Sequence, residues 1–186
     1  MANLLHSARR RLVRLGMPRL AGRFARAERG ATAVEFALVA MPFLMLVFAI
    51  IELGLVFLVS ITLESAVADV GRTIRTGQVQ TAGGSASTFK TAVCAKLSWL
   101  GSKCDGALQI DVRTFSDYAS TSTSSSSTTV PTTMNWDPGS PGSIVLVRAY
   151  YTWPLITPLL YTGLQSSSGK RIIYAATAFT NEPYNQ

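Results

Sequence analysis

The sequence predicts an α+β protein in which a long N-terminal transmembrane and amphipathic helix is followed by a small exported domain with a short helix and an antiparallel sheet. Three observations support this. An apolar stretch at 36–59 is interrupted only by Glu52. Apolar residues then continue at helical spacing, and the C-terminal half contains alternating, β-branched segments bounded by turn residues.

The long helix is expected over 31–76. Its segment 36–59 is long enough to span a bilayer, which takes about 20 helical residues, and exceeds the apolar core of a secretory signal, about 7–15 residues. Apolar residues beyond it recur every three or four positions and predict one buried stripe, formed by Val59, Leu63, Val67, Val70 and Ile74. Gly77 is the expected C-terminal stop.

The remaining residues, 77–186, are predicted to form the exported domain. The local patterns divide it into a linker at 78–87, an amphipathic helix at 88–100 and strands at 108–115, 144–153 and 171–180. A core of this size is small, so a disulfide would help to stabilise it.

Two segments of this domain carry specific expectations. The strand at 108–115 begins with strict alternation, which predicts an inward apolar face and an outward polar face. The inward residues are Leu108, Ile110 and Val112, and the outward residues are Gln109, Asp111 and Arg113. The Ser/Thr run at 120–129 is too polar to pack and predicts a loop over 119–133.

The positive charge of the chain is confined to its first 29 residues. The formal net charge is +7, and residues 1–29 hold eight Arg and one Glu, which account for all of it. A nucleic-acid-binding domain needs basic residues on its folded part, so nucleic acid is not an expected partner. An arginine-rich segment before an apolar one instead keeps an N-terminus in the cytoplasm.

Histidine usage and acid spacing argue against catalysis and metal binding. The only histidine, His6, lies in the basic leader, so a processed protein would lack the residue that most zinc sites and hydrolase triads use. No catalytic residue, metal or cofactor is therefore expected. The segment 163–171 departs from a phosphate-binding loop in spacing and in its last residue. Asp105, Asp111 and Asp117 lack calcium-loop spacing and are expected to be surface acids.

Cys94 and Cys104 are the only two cysteines, and both follow the apolar stretch. In an exported domain they would lie in a compartment where disulfides form. Only one pairing exists, so we expect a Cys94–Cys104 disulfide. The alternative is a pair of buried free thiols.

The start of the long helix contains the most informative motif. A basic leader is followed by Gly30, small residues, Glu35 and then the apolar stretch. This order resembles the processing site of type IV pilins and pseudopilins, where the prepilin peptidase, a membrane aspartyl protease, cuts after the glycine on the cytoplasmic side. The resemblance implies a leader over 1–30, a new N-terminus at Ala31 and Glu35 as the fifth mature residue. A start at Met17 would shorten the leader.

The resemblance narrows to the TadE family of the tight-adherence (Tad, Flp-type) pilus system. It rests on Gly30, Val34-Glu35-Phe36-Ala37, Pro42 and the second acid in Ile51-Glu52-Leu53-Gly54. It implies a non-enzymatic minor pseudopilin in the bacterial inner membrane, with a cytoplasmic N-terminus and a periplasmic C-terminal domain, required to build a Tad-type pilus. The implied partners are the prepilin peptidase, other pilins and pseudopilins, the membrane assembly platform and the lipid bilayer.

Two acids of the long helix have more than one interpretation. Thr32 and Glu35 also form a capping-box pattern at the expected helix start, just before Phe36 opens the apolar stretch. Glu52 lies about three-quarters of the way across the expected span. It either pairs with a cationic or polar group of a partner helix, or snorkels outward or is protonated.

Two other functions are alternatives. Ala66-Val67-Ala68 is a small-x-small site, so a conventional signal peptide cleaved after Ala68 would release a secreted protein. The intervening Glu52 and Glu64 count against this. A single-pass membrane enzyme would need an active site built on Asp/Glu or Ser/Lys chemistry. The mature N-terminus separates these routes, because only pilin processing exposes Ala31.

Overall fold

A computed structural model describes residues 28–125, 130–156, 166 and 170–184. The chain divides into two compact units, Met1–Leu46 and Val47–Gln186. Its elements are α1 (Glu28–Arg75), α2 (Gln78–Thr81), α3 (Ala86–Lys96), a 3₁₀ helix (Ser98–Leu100), α4 (Lys103–Ala107), β1 (Leu108–Phe115), α5 (Tyr118–Ser125), β2 (Ile144–Pro154) and β3 (Lys170–Thr180). The predicted α+β class, with one long helix before a small antiparallel sheet, is confirmed.

The first part of α1 is apolar and exposed. Every residue from 31 to 51 is exposed or half-exposed, and the large side chains among them include Phe36, Phe43 and Phe48. Within the described ranges, α1 is the one helix long and apolar enough to cross a membrane. Pro42 lies inside it without ending it, as membrane helices tolerate.

The second part of α1 buries one stripe in the core of the domain. All five predicted stripe residues are buried, so that prediction is confirmed; they are Val59, Leu63, Val67, Val70 and Ile74. Glu52, Val56 and Ala66 extend the same stripe at spacings of three and four residues. The buried stripe thus begins before residue 59, the expected end of the membrane span.

α1 ends close to the predicted stop. Its last residue is Arg75, and Gly77 has a φ of 76° and donates its N–H to the Ile74 carbonyl over 3.0 Å. A Cβ at Gly77 would lie 2.3 Å from the Tyr184 ring. Both the left-handed backbone and this close approach therefore require glycine.

The three strands form an antiparallel meander in the order β1-β2-β3. The central strand β2 pairs with β3 from Ile144↔Thr180 to Pro154↔Lys170, and β1 pairs with β2 from Leu108↔Tyr151 to Phe115↔Ile144. The predicted inward residues of β1 belong to one hydrophobic cluster with the α1 stripe and the inner face of β2. A single core therefore fastens the sheet to the second part of α1.

Helix α3 packs its predicted face into this core. Its start is a capping box in which the Ser85 side chain accepts the Thr88 N–H and the Thr88 hydroxyl accepts the Ser85 N–H. Phe89, Val93 and Leu97 are buried, and Leu100 packs partly buried against them. The helix ends at Lys96 rather than at residue 100, and the 3₁₀ helix takes up its last residues.

Two segments expected to be irregular are partly helical. The expected linker at 78–87 contains α2 and the first residues of α3. The loop expected over 119–133 is wrong in its first part, because α5 runs to Ser125. Residues 126–129 of the Ser/Thr run lie outside the described residues, as do most of 163–171.

Local hydrogen bonds explain why the Ser/Thr run begins as a helix. The Asp117 carboxylate accepts the Ser120 N–H at 2.7 Å and the Ser120 hydroxyl at 2.8 Å, as an N-cap does. The hydroxyls of Thr121 and Ser122 donate to carbonyls three residues earlier. The polar side chains thus bond to their own helix, which the composition does not reveal.

Candidate functional site

The predicted processing segment is helical and lies within α1. The helix already includes Glu28, so the expectation that Thr32 caps its start is wrong for the uncleaved chain. Gly30 is half-buried, and the residues that follow it in the motif are exposed: Ala31, Thr32, Glu35 and Phe36. The leader before residue 28, with His6 and most of its arginines, lies outside the described residues.

Glu52 lies at the junction between the exposed and buried parts of α1. It is only 2% exposed, and its carboxylate accepts the backbone N–H of Ile156, just beyond the end of β2. This partner of Glu52 is a backbone group of the same chain. The sequence had suggested a group on a partner helix, or a carboxylate that snorkels outward or is protonated. This contact joins α1 to the end of the sheet at which β2 ends, near Pro154.

A second set of contacts joins the other end of the sheet to the end of α1. The Arg75 carbonyl accepts the Glu182 N–H at 2.8 Å, and the two side chains form an ion pair at 3.0 Å. Glu182 follows β3 closely in the chain. From Glu52 to Arg75, α1 rises about 35 Å, which is close to the roughly 33 Å of an eleven-residue strand such as β2.

The disulfide predicted from the two cysteines is present. Cys94 in α3 and Cys104 in α4 are bonded, with their Cα atoms 5.7 Å apart. Cys104 is buried, and Cys94 packs partly buried against the same core. The bond therefore fixes α4 on α3 directly before the first strand.

A buried ionic cluster lies on the face of the sheet opposite α1. Asp111 lies on the predicted outward face of β1 but is fully buried, so its expected position at the surface is wrong. Its carboxylate accepts from Arg148 at 2.6 Å and from Arg113 at 3.0 Å, and from the Asn135 N–H at 2.8 Å. Arg148 also donates to the Ser124 carbonyl at 3.1 Å. The strand alternates as predicted, but α5 and the segment around residue 135 cover its polar face.

The shifted pKa values in the domain indicate packing rather than proton transfer. Burial raises the pKa of Tyr150, Tyr151 and Tyr174, because a buried phenolate loses its hydration. The Tyr150 and Tyr174 rings pack with centroids 5.2 Å apart. Hydrogen bonds from the Ser120 backbone and side chain and from Ser116 lower the pKa of the exposed Asp117. Across the described ranges, no three His, Cys, Asp or Glu side chains come together as a metal site.

The residues that connect the domain to α1 were not predicted from the sequence. Ile156 and Glu182 act mainly through their backbone N–H groups, which carry no side-chain signal. Tyr184 packs on Gly77, which the sequence marks only as a helix stop. Arg148 sits in an otherwise apolar strand, and that isolated charge is a signal for a buried acidic partner.

Comparison with known proteins identifies one family. Residues 30–72 match the model of the family described as TadE-like protein, so the predicted resemblance is confirmed over the first part of the chain. No curated protein and no solved structure matches. The match indicates a membrane-anchored protein associated with the Tad pilus and with its other components.

Proposed function

We propose that this chain, whose residues 30–72 match the TadE-like family, is a minor pseudopilin that the prepilin peptidase cuts after Gly30 and that helps to build a Tad-type pilus. One observation carries the proposal. The family match begins at Gly30 itself and continues along α1 through the membrane-type segment into the buried stripe. The glycine, Glu35 and the apolar helix thus form one continuous arrangement rather than three unrelated features.

Gly30 lies within α1, and its residue type suits proteolysis. A protease needs its substrate extended, so the helix must unwind here before the Gly30–Ala31 bond is cut. Glycine disfavours a helix by about 1 kcal/mol relative to alanine, so Gly30 lowers the cost of unwinding the chain at this point. The glycine also has no side chain to clash in a narrow active site.

Cleavage would create a new helix start. Ala31 would carry a positive amine, and Thr32 and Glu35 would then occupy the positions of a capping box. A carboxylate at the membrane edge is costly unless it is paired. The resemblance to pilins implies that a neighbouring subunit's N-terminal amine pairs with Glu35 during assembly.

We place the membrane-spanning part of the mature helix at about 31–51, which shortens the expected span of 36–59 at its outer end. These roughly 20 exposed residues make a helix of about 30 Å, the thickness of a bilayer core. Glu52 then lies at the outer edge of the membrane, where the Ile156 N–H supports its carboxylate. The arginine-rich leader would hold the N-terminus in the cytoplasm, which leaves the domain on the periplasmic side of the inner membrane, within reach of the pilus platform and other pilins.

The packing of α1 counts against a conventional signal peptide. Cleavage after Ala68 would remove four large buried side chains from the core, those of Val56, Val59, Leu63 and Val67. Each contributes about 1.5–3 kcal/mol when fully buried. The combined loss is comparable to the whole stability of a small domain, about 5–15 kcal/mol.

The first prediction tests processing and assembly separately. Gly30→Leu is expected to keep the leader attached, because the leucine side chain blocks entry of the extended chain into the peptidase. Glu35→Ala is expected to be cut but to lose co-purification with other pilins and to reduce piliation. N-terminal mass spectrometry and pull-down of the full-length protein from cells measure the two effects.

Matched variants on the same helix serve as controls. Gly54→Leu adds the same side chain at a glycine where an added Cβ would have nothing within 4 Å, and Glu64→Ala removes an exposed acid of α1. Both should be processed and assembled normally. Normal cleavage of Gly30→Leu would refute the processing site, and normal assembly of Glu35→Ala would reduce Glu35 to a helix cap.

A further inference from the structure

A groove of about 690 Å³ lies beside the end of the sheet formed by Pro154 and Lys170. Among the described residues that line it, the side chains are mainly aromatic and aliphatic, with two cations and no acid. The residues that define it here are Trp99, Leu100, Trp153, Ile156, Lys103 and Lys170. Trp99 is 45% exposed and Ile156 is 61% exposed, so the groove presents two large apolar side chains at the surface of the domain.

Two contacts fix the level of this groove along α1. Ile156, which lines the groove, donates its N–H to Glu52, the first buried residue of α1 after the exposed and half-exposed residues 31–51. The opposite end of the sheet lies beside Arg75, because the Glu182 N–H, just after β3, donates to the Arg75 carbonyl. The groove therefore lies at the end of the domain where the apolar stretch of α1 joins it, and the Thr180 end of the sheet lies at the other.

Its side chains match the chemistry of a bilayer interface. Tryptophan is enriched where hydrocarbon meets headgroups, because its ring is apolar and its N–H is polar. Lysines near an anionic lipid surface are attracted to the lipid phosphates. We propose that this groove is a lipid-binding surface, in which Trp99 and Ile156 enter the membrane interface and Lys103 and Lys170 bind the headgroup of an anionic phospholipid. This inference rests on α1 spanning the bilayer, and not on cleavage at Gly30.

Such a surface would restrict how the domain tilts on its helix. With Glu52 at the membrane edge and the groove seated on headgroups, the domain is held at two points. A pseudopilin positioned in this way would present its membrane-distal end, near Phe115 and Thr180, to other subunits at a constant orientation.

The second prediction tests membrane contact by tryptophan quenching. The full chain is placed in nanodiscs of phosphatidylcholine mixed with phosphatidylglycerol, with bromine on the acyl chains close to the glycerol. The bromines are expected to quench the wild-type fluorescence, and Trp99→Phe should remove much of the quenched component. Trp136→Phe is the matched control. Trp136 forms a β-bridge with Val112, which pairs with Val147 on β2. Val147 lies about 20 Å along β2 from Trp153. Replacing Trp136 should therefore leave the quenched component intact.

The lysines are tested by lipid selectivity in the same nanodiscs. The preference for brominated phosphatidylglycerol over brominated phosphatidylcholine should fall about fivefold for each of Lys103→Gln and Lys170→Gln. Lys96→Gln should change nothing, since Lys96 is exposed and pairs with Asp69 at 3.3 Å.

Two results would overturn the inference, and they are distinguishable. Equal quenching in the Trp99→Phe and Trp136→Phe proteins, or unchanged selectivity in both lysine variants, would refute the lipid surface while α1 remains inserted. The groove would then be assigned to binding a protein partner. Failure of the full chain to enter nanodiscs would refute the membrane anchor as well. Neither result depends on whether Gly30 is cut, which the processing experiment decides.

Discussion

The Asp111 carboxylate shows how much one residue depends on what covers it. It lies on the polar face of β1, yet two arginines and a backbone N–H surround it and exclude water. Arg148 extends the contact to the carbonyl of Ser124 in α5. This ionic cluster therefore connects the central strand to the helix formed by the Ser/Thr run. Removing one member of such a pair leaves a buried charge without compensation.

The third prediction follows from this cluster. Asp111→Asn is expected to lower the free energy of unfolding by about 3–5 kcal/mol, because Arg148 stays buried without its counter-charge. Urea unfolding of the full chain in detergent, followed by near-UV circular dichroism, measures the loss. Asp69→Asn breaks an exposed pair with Lys96 and should cost less than about 1 kcal/mol. Similar losses for the two variants would contradict a structural role for the buried pair.

Among the elements, α3 and α4 are short and depend on a covalent link. α3 contributes few side chains to the core, and α4 has five residues, well below the length at which an isolated helix is stable. The Cys94–Cys104 bond joins residues ten positions apart. Closing such a loop in the unfolded chain reduces its entropy and so favours the folded state.

The fourth prediction concerns this bond. Reduction is expected to lower the unfolding free energy of the full chain by about 2–3 kcal/mol, on the entropic account of a short loop. Urea titrations with and without reductant measure the difference, and a Cys94→Ala, Cys104→Ala double variant should not respond to reductant. Labelling of two thiols in unfolded, unreduced protein would show that the bond does not form in the cell.

The whole molecule combines an arginine-rich N-terminal segment, the apolar helix α1 and a domain with balanced charge. The leader holds eight of the arginines, and the residues after position 29 carry no net charge. Basic residues flanking a single span set its orientation, because they stay on the cytoplasmic side. A disulfide between the two cysteines forms in an oxidising compartment, which agrees with the proposed periplasmic position of the domain.

The fifth prediction is this orientation. A reporter that is active only outside the cytoplasm, fused after Gln186, should be active, and a reporter that is active only in the cytoplasm should be silent. Replacing Arg9, Arg10 and Arg11 with Gln should weaken this asymmetry, whereas replacing the exposed Arg72 and Arg75 beyond the span should not. A strong cytoplasmic signal from the wild-type fusion would reverse the proposed topology.

Local sequence patterns were sufficient for much of this protein. Hydrophobic length identified the membrane-type segment, and a period of three to four residues identified the stripe around Leu63 and Val67. The local strand patterns placed all three strands within one residue of their observed ends, and a single possible pairing identified the disulfide. Each of these follows from neighbours along one element, where the chain itself sets the distances.

Only the tertiary structure decided which segments pack against the faces of α1 and β1. Glu52 meets Ile156 across 104 positions of sequence, and Asp111 is buried because α5 and Asn135 close over a face that alternation marks only as polar. The Ser/Thr run becomes helical because Asp117 caps its start and Arg148 donates to the Ser124 carbonyl near its end. Long-range packing brings these groups together, and no local period or composition records which distant segment supplies a buried polar group with its partner.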